Sequence, residues 1–246
     1  MSKTQNICEL EFVNAHMDEL VHLLDRRIMA SLKTFLVTAN PEIVMYGSKD
    51  ESYLRLLKKA DFITPDGIGI IIASKILGRP LEERLTGFDL MNRLLKISNK
   101  KGYTIYFLGA ESDVIEVAVK NIKNAYPDIR IAGYHHGFFD WDDFKLVEDI
   151  RGKKPDIIFV GLGFPRQEKW ISINMEHFEK GLFIGVGGSF DVWAGKVKRA
   201  PEIWQKLNLE WLYRLLKQPS RWRRMLVLPL FLFRVIKMRF LSKQQG

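Results

Sequence analysis

Residues 155–170 read PDIIFVGLGFPRQEKW, and the character of the sequence changes twice within them. After Asp156, residues 157–160 are a short run of β-branched and aromatic apolar side chains, which predicts a strand at residues 156–160 that is buried in a sheet. Two glycines follow at Gly161 and Gly163, and helical spacing of apolar residues begins after Pro165. The stretch therefore predicts a strand, a glycine-rich loop and a helix in succession.

The same alternation continues on both sides of this unit, from Lys33 onward. The predicted strands lie at residues 34–37, 62–64, 103–108, 129–132, 156–160 and 182–186. Helical spacing of apolar residues is found near residues 41–58, 68–78, 88–99, 111–125, 142–151 and 165–179. This alternation is typical of βαβ units, so we expect an α/β fold, a Rossmann-like, mostly parallel sheet with flanking helices.

The excess positive charge lies at the carboxyl terminus. Residues 196–246 contain thirteen Lys or Arg and two Glu, a net charge of +11, whereas the whole chain has a net charge of +9. The first 195 residues therefore have a net charge of −2. We predict an α/β domain at residues 1–195 and a C-terminal basic amphipathic helical appendage at residues 196–246. A tail that combines Arg with Trp and Phe suits a polyanion or an anionic surface as partner.

The remaining bulk features indicate a cytoplasmic protein. A single cysteine, Cys8, excludes an intrachain disulfide and fits a reducing compartment. Residues 1–18 are polar and interrupted by acids, unlike a signal peptide. The longest apolar run, residues 225–233, would span about 14 Å as a helix, against roughly 30 Å of bilayer hydrocarbon. Basic residues flank that run, so we expect it to lie on a membrane surface and not to cross it.

Glycine and polar residues follow five of the predicted strands. They are Thr38, Asn40, Pro65, Asp66, Gly67, Gly109, Gly161, Gly163, Pro165, Gln167, Gly185, Gly187, Gly188 and Asp191. In an open α/β sheet, ligands bind outside the carboxyl ends of the strands. We therefore expect these loops to meet at one crevice.

Two of these loops contain candidates for direct chemistry. Asp66 lies between an apolar strand and an apolar helix, where a partly desolvated carboxylate with a raised pKa would suit general-base work on a hydroxyl. Pro-Asp-Gly is also a common turn sequence, so a purely structural Asp66 is the alternative. Asn40 precedes Pro41 and Glu42, a pattern that fits a helix N-cap as well as it fits a substrate contact. Thr38 would face the rim of the sheet.

The glycine-rich loops favour a nucleotide-type ligand. Glycines let the backbone approach a ligand, and a helix amino terminus offers N–H donors to phosphate. Neither the dinucleotide fingerprint nor a P-loop is present. Asp140-Trp141-Asp142 resembles an Asp-x-Asp metal site, but acids at a helix start favour capping, and His135-His136 has no third ligand nearby in sequence. We expect neither a metal nor a cofactor.

Several motifs together, in order, resemble one family. They are Thr38-Ala39-Asn40-Pro41-Glu42, Pro65-Asp66-Gly67-Ile68-Gly69, residues 161–168, residues 185–191, Arg199-Ala200-Pro201, residues 207–214 and Arg221-Trp222-Arg223-Arg224. They resemble the WecG/TagA/CpsF glycosyltransferases over essentially the whole chain, most closely the N-acetylmannosaminyltransferases of the wall teichoic acid branch. The resemblance implies inverting transfer of N-acetylmannosamine from UDP to the 4-hydroxyl of undecaprenyl-diphosphate-linked N-acetylglucosamine, without metal, at the inner membrane face.

The resemblance also implies roles for individual residues. Asp66 is the expected base. Thr38, Asn40, Arg84 and Gln167 would hold the sugar or the acceptor. The UDP-binding positions would be Gly109, Gly163, Gly187, Gly188 and Asp191. With no metal ion, the leaving diphosphate needs cationic donors, and we expect Arg214, Arg221 and Arg224 of the tail to contact the diphosphate of the donor or of the lipid.

Other interpretations remain open at this point. The donor could be the corresponding uronic acid or another UDP-hexose. A basic nucleic-acid-binding protein is motivated by the pI near 9.5 but leaves the five loops unexplained. A nicotinamide enzyme lacks its fingerprint. Exposed apolar surface on the tail would favour a homo-oligomer when no membrane is present.

Overall fold

An eight-stranded sheet lies at the centre of the molecule. The computed structural model describes residues 3–141, 144–217, 219, 222 and 226–244, without the side chains of residues 206, 214 and 242–244. The strands are β1 (Thr4–Ile7), β2 (Leu10–Val13), β3 (Thr34–Ala39), β4 (Phe62–Pro65), β5 (Thr104–Gly109), β6 (Arg130–His135), β7 (Ile157–Gly161) and β8 (Leu182–Gly185). Their order across the sheet is β1-β2-β4-β3-β8-β7-β5-β6. Only β1 and β2 pair antiparallel among these strands, so the mostly parallel α/β fold is confirmed.

Helices cover both faces of the sheet. They are α1 (Met17–Met29), α2 (Pro41–Gly47), α3 (Glu51–Leu57), α4 (Ile68–Ile76), α5 (Gly87–Lys101), α6 (Ser112–Ala125), α7 (Lys145–Gly152), α8 (Arg166–Asn174), α9 (Ser189–Trp193), α10 (Glu202–Lys206), α11 (Glu210–Lys217) and α12 (Val227–Gln244). One core forms under α2, α3, α4, α7, α8 and α12, and a second under α1, α5, α6 and α9. β3 is buried along its whole length because it lies between the two cores.

The predicted strands are all present, and the differences lie elsewhere. The helical segment predicted near residues 41–58 is two helices, because the Asp50 side chain accepts a hydrogen bond from Tyr53 N–H at 3.1 Å and starts α3. The β1–β2 hairpin and α1 were not predicted. β1 reads TQNI and is only partly buried, so its hydrophobic pattern is weak. The hairpin extends the sheet beyond β4.

The last helix packs into the first core. Phe231 and Val235 of α12 are fully buried there, against α2 and α4. Arg239 Nη1 donates a hydrogen bond to the carbonyl oxygen of Leu77, at the end of α4, at 3.2 Å. Burying two such side chains stabilises the contact by a few kcal/mol, at about 1.5–3 kcal/mol each. α12 is therefore part of the packed molecule.

The outer side of α12 exposes further apolar side chains. Leu230, Phe233 and Phe240 are each more than half exposed, at 59%, 69% and 65%. The helix thus carries apolar side chains on its buried and on its exposed side, and the basic amphipathic character expected for the whole tail stays a prediction. The division of the chain into residues 1–195 and 196–246 stays a prediction.

Candidate active site

The carboxyl ends of five neighbouring strands are level along one edge of the sheet. In the strand register, Ala39 pairs with Pro65, Val160 with Gly185, and Gly109 with Gly161. The loops that follow β4, β3, β8, β7 and β5 therefore lie side by side, in that order. This edge brings Asp66 and Thr38 to one end and the glycine loops to the other.

Asp66 is half-buried between the starts of α4 and α5. Its backbone N–H donates to the carbonyl oxygens of Ala39 and Thr64, at 2.9 and 3.0 Å, which fixes the residue at the end of β4. Its carboxylate Oδ2 accepts from the N–H of Gly87, the first residue of α5, at 3.4 Å. Asp66 does not cap α4, whose N-cap is Gly67 without a side-chain hydrogen bond. The carboxylate thus faces the positive end of the α5 dipole.

An arginine–carboxylate pair lies beside Asp66. Arg199 Nη1 and Nη2 donate to the two carboxylate oxygens of Asp89 at 2.6 and 2.7 Å, and Thr86 Oγ1 donates to Asp89 Oδ2 at 2.6 Å. Burial opposes the charge of Asp89, but the hydrogen bonds from Arg199 and Thr86 outweigh it and lower the Asp89 pKa. The negative charge of Asp66 is one of the smaller causes that raise the Arg199 pKa. Arg199 therefore places a fixed positive charge near the Asp66 carboxylate.

Sequence reasoning assigned no role to Asp89 or Arg199. The two residues are 110 positions apart, and no local pattern connects them. Arg199 belonged to a motif that carried the family resemblance, which was the one signal that could have pointed to it.

Arg84 contacts the tail. Its guanidinium lies 3.5 Å from the carboxylate of Glu210, the first residue of α11, and both side chains are largely buried. The neighbouring Leu85 N–H donates to the carbonyl oxygen of Pro65 at 3.0 Å, which holds the Arg84 loop against the Asp66 loop. The structure thus places the Arg84 loop beside the Asp66 loop and gives Arg84 a partner in Glu210, while its contact with the sugar or acceptor stays a prediction.

Thr38 and Asn40 both make internal hydrogen bonds. Thr38 Oγ1 donates to the carbonyl oxygen of Gly185 at 2.9 Å and is buried. Asn40 Oδ1 accepts from Ile43 N–H at 3.0 Å, so the N-cap interpretation of Asn40 is confirmed. Their contact with a substrate stays a prediction.

Gln167 is buried under the loop that follows β8. Its Nε2 donates to Glu168 Oε1 at 2.7 Å, and its Oε1 accepts from Gly187 N–H at 3.0 Å. Only 3% of Gln167 is exposed. Both ends of the amide are therefore used inside the protein, and the contact that this geometry supports is with the loop backbone.

The glycines at the other end of the crevice serve two purposes. At Gly109, φ is +137° and a Cβ would overlap the Gly161 carbonyl group, so glycine permits the close approach of these two loops. Gly163 and Gly187 have φ of +73° and +51°, and nothing described lies within 4 Å of a Cβ built on either. These two turns therefore border open space, as a ligand-binding loop must.

The last two predicted UDP-binding positions lie at the start of α9. A Cβ built on Gly188 would lie 3.4 Å from Asp191 Oδ2, so this carboxylate is close to the loop backbone. Asp191 is half-buried in the first turn of the helix.

Part of the predicted site lies outside the described residues. Arg221 and Arg224 are not described, nor is the side chain of Arg214, so their predicted contact with diphosphate stays a prediction. Asp142 is also outside the description. Among the residues that are described, no group of three or more His, Cys, Asp or Glu is arranged to hold a metal ion.

The fold and the site define a class. They describe an α/β protein with a mostly parallel sheet, whose ligand crevice combines open glycine turns with a half-buried carboxylate, Asp66, that faces a helix amino terminus. That combination suits a nucleotide-linked substrate and one proton transfer.

The chain belongs to the glycosyl transferase WecG/TagA/CpsF family, whose profile matches residues 5–245. A relative from Bacillus spizizenii is 40% identical over 236 residues, covering 96% of this chain and 91% of the relative. One from Staphylococcus aureus (strain MW2) is 41% identical over 235 residues, covering 94% of this chain and 92% of the relative. Both relatives are named N-acetylglucosaminyldiphosphoundecaprenol N-acetyl-beta-D-mannosaminyltransferase.

Proposed function

We propose that this protein transfers N-acetylmannosamine from UDP-N-acetylmannosamine to the 4-hydroxyl of N-acetylglucosaminyl-diphospho-undecaprenol. The product carries a β-1,4-linked disaccharide, the linkage unit of teichoic acid. One observation carries the proposal: the Asp66 carboxylate and the open glycine turns share one edge of the sheet, in a chain about 40% identical to relatives named for this reaction. The protein is a hexosyltransferase.

Asp66 acts as the general base. It takes the proton from the acceptor 4-hydroxyl, whose oxygen attacks the anomeric carbon of the donor. The bond between that carbon and the β-phosphate oxygen breaks, its electron pair leaves with UDP, and the configuration inverts. The Gly87 N–H orients the carboxylate before the transfer, and the Arg199 guanidinium supplies positive charge near it.

The remaining residues bind the two substrates. The turns at Gly109, Gly163 and residues 187–191 receive UDP, and Arg84 contacts the sugar or the acceptor. Thr38 and Gln167 act through the loop that follows β8, and Asn40 through the start of α2. Arg214, Arg221 and Arg224 contact diphosphate, which needs cationic donors because no metal takes part.

We propose further that the protein works at the inner face of the cell membrane. No helix among the described residues is long and apolar enough to cross a bilayer. The exposed side of α12 offers Leu230 and Phe233 to the acyl boundary. Basic residues near an anionic leaflet contribute about 1 kcal/mol each, so six engaged side chains would give roughly 6 kcal/mol.

UDP release tests the reaction. The full chain is incubated with a short-chain lipid-diphosphate-linked N-acetylglucosamine and with UDP-N-acetylmannosamine, its uronic acid analogue or another UDP-hexose. Release with the first donor is expected. Preference for the uronic acid would select the alternative donor, and no release with any donor would refute the proposal.

A liposome experiment tests the location. Binding to anionic vesicles should exceed binding to neutral vesicles and to nucleic acid, and should weaken at high salt without disappearing. Stronger binding to duplex or single-stranded nucleic acid would favour the rival function.

A further inference from the structure

Glu168 is a buried carboxyl group that the mechanism above does not use. It lies in the first turn of α8 and is 1% exposed. Its Oε1 accepts from Gln167 Nε2 at 2.7 Å, while its Oε2 has no hydrogen-bond partner among the described residues. Nearby is the buried hydroxyl of Tyr53, whose pKa is raised by burial and by the Glu168 carboxyl. Carboxyl groups are almost never fully buried without a specific partner.

The contacts of Gln167 explain why a carboxyl group is useful here. The Gly187 N–H can only donate a hydrogen bond, so the oxygen of the Gln167 amide must face it at 3.0 Å. The amide nitrogen then faces Glu168, which offers an acceptor oxygen. If the amide were rotated by half a turn, two N–H groups would face each other at Gly187. Glu168 therefore sets the orientation of the Gln167 amide.

That orientation fixes the backbone of the donor loop, residues 185–188. A Cβ on Gly185 would lie 2.6 Å from Gln167 Nε2, so the amide packs directly on the loop backbone. At Gly187 φ is +51°, a conformation that the hydrogen bond to Gln167 holds in place. A shift of the amide would move the turn whose open side borders the crevice.

We propose that Glu168 is a positioning residue for the donor: its buried side chain holds Gln167, and Gln167 holds the loop that receives UDP. This inference rests on the proposed function. Burial raises the pKa of Glu168 and so favours its uncharged form. A neutral amide of the same length can therefore replace it, since its oxygen can accept from Gln167 and its nitrogen can donate toward Tyr53.

Two substitutions distinguish the effect of the length of the Glu168 side chain from the effect of its acidic group. Glu168→Gln keeps the length of the side chain and should keep the Kd for UDP within about threefold. Glu168→Asp keeps the acid but shortens the side chain by one methylene, which withdraws it from Gln167. We expect E168D to raise the Kd for UDP and the donor KM about tenfold, equivalent to about 1.4 kcal/mol, with the acceptor KM little changed. Calorimetry with UDP and steady-state kinetics on the full chain measure these values.

Asn174→Ala is the matched control. Asn174 is buried in the same helix and its Nδ2 donates to the Trp170 carbonyl oxygen at 2.9 Å. Its loss should lower the melting temperature without changing UDP affinity. Wild-type UDP affinity in E168D, or an equal loss in E168Q and E168D, overturns the proposal.

Hydrogen exchange gives a comparison that needs no ligand. The Gly187 amide should exchange faster in E168D than in the wild type, and at the wild-type rate in E168Q. Exchange at the wild-type rate in both variants overturns the proposal. If the exchange result is as expected while the wild type neither binds nor releases UDP, the proposed function has failed and the positioning role stands.

Discussion

The two ends of the crevice are held together by different forces. At the donor end, Gln167 binds Gly187 through a buried hydrogen bond, and Gly185 accepts another from Thr38, which lies toward the Asp66 end. At the Asp66 end, ion pairs connect Arg199 to Asp89 and Arg84 to the tail residue Glu210. The donor end is thus built within the sheet, whereas the Asp66 end depends on segments that follow residue 195.

Because of this difference, we expect substitutions at the two ends to affect UDP binding and turnover separately. Hydrogen bonds that are buried in the protein respond little to salt, while a partly exposed ion pair such as Arg199–Asp89 is screened. Changes at the Asp66 end should therefore reduce turnover and leave UDP affinity intact, and changes at the donor end should do the reverse. The following predictions test that separation.

Asp66→Asn should have the largest effect. Loss of the base is expected to lower turnover by about two to four orders of magnitude, because the acceptor hydroxyl then has no proton acceptor at that position. The Kd for UDP should stay within about twofold, since Asp66 belongs to the other end. Turnover and UDP calorimetry are measured on the same preparation. A variant that turns over at the wild-type rate would exclude Asp66 as the base.

Arg199→Lys should have the next largest effect. A lysine cannot reproduce the two parallel bonds to Asp89, so the positive charge near Asp66 is no longer fixed. We expect kcat to fall about tenfold, which is equivalent to about 1.4 kcal/mol of lost transition-state stabilisation. The affinity for UDP should not change. Arg27→Lys is the matched control. Arg27 pairs with Asp61 at 3.0 Å near the amino ends of the strands, whereas the crevice lies at their carboxyl ends. Equal losses in the two variants would contradict the prediction.

Gly69→Ala tests how the Asp66 end depends on α12. A Cβ at Gly69 would lie 2.5 Å from Pro41 Cγ and 2.6 Å from Leu228 Cδ1, where α4 meets α2 and α12. Overpacking of this kind costs about 1–3 kcal/mol of unfolding free energy. Turnover should fall more than UDP affinity. Gly152→Ala, which has nothing described within 4 Å of the new methyl group, should be tolerated. Urea unfolding of both variants checks this, and equal stability would argue against tight packing at Gly69.

The smallest expected effects are changes of stability with pH, which should have opposite signs at Asp89 and at Glu168. The folded-state pKa of Asp89 is lowered, so its stabilising contribution is present above the unfolded pKa of about 3.9 and is lost as the pH falls. D89N should be less stable than the wild type at pH 7, and the gap should close in acid.

Glu168 should show the opposite sign. Its folded-state pKa is raised, so stability is highest below the unfolded pKa of about 4.3 and declines as the pH rises above it. E168Q should therefore be more stable than the wild type at pH 7, with a gap that also closes in acid. Thermal unfolding between about pH 2 and pH 8 measures both variants. Gaps of the same sign would show that the two ends do not differ as described.

Features that depend on local sequence were predictable. The six strands of the sheet follow from runs of apolar β-formers, and the Asn40 cap follows from its position before Pro41. The common edge of the loops follows from parallel strands. These patterns extend over only a few residues, and the backbone conformation that they favour is the one in the structure.

Features that depend on distant pairs were not predictable. Asp89 meets Arg199 across 110 positions, and no period or motif links them. Glu168 looked like an ordinary acid in the first turn of a helix, where acids are common, and only its burial distinguishes it. The packing of α12 could not be predicted from its sequence, because a helix that is apolar on both sides does not indicate which side is buried.

The contact between Cys8 and Met238, which lie 230 positions apart, has a consequence for synthesis on the ribosome. Cys8 Sγ lies 3.9 Å from Met238 Sδ, so the last helix docks beside the first hairpin. A nascent chain emerges from its amino terminus at about 5–20 residues per second. Until α12 leaves the exit tunnel, the apolar surface of α2 and α4 has no cover. The chain can complete this core only once α12 has emerged, and until then a chaperone or the membrane surface has access to it.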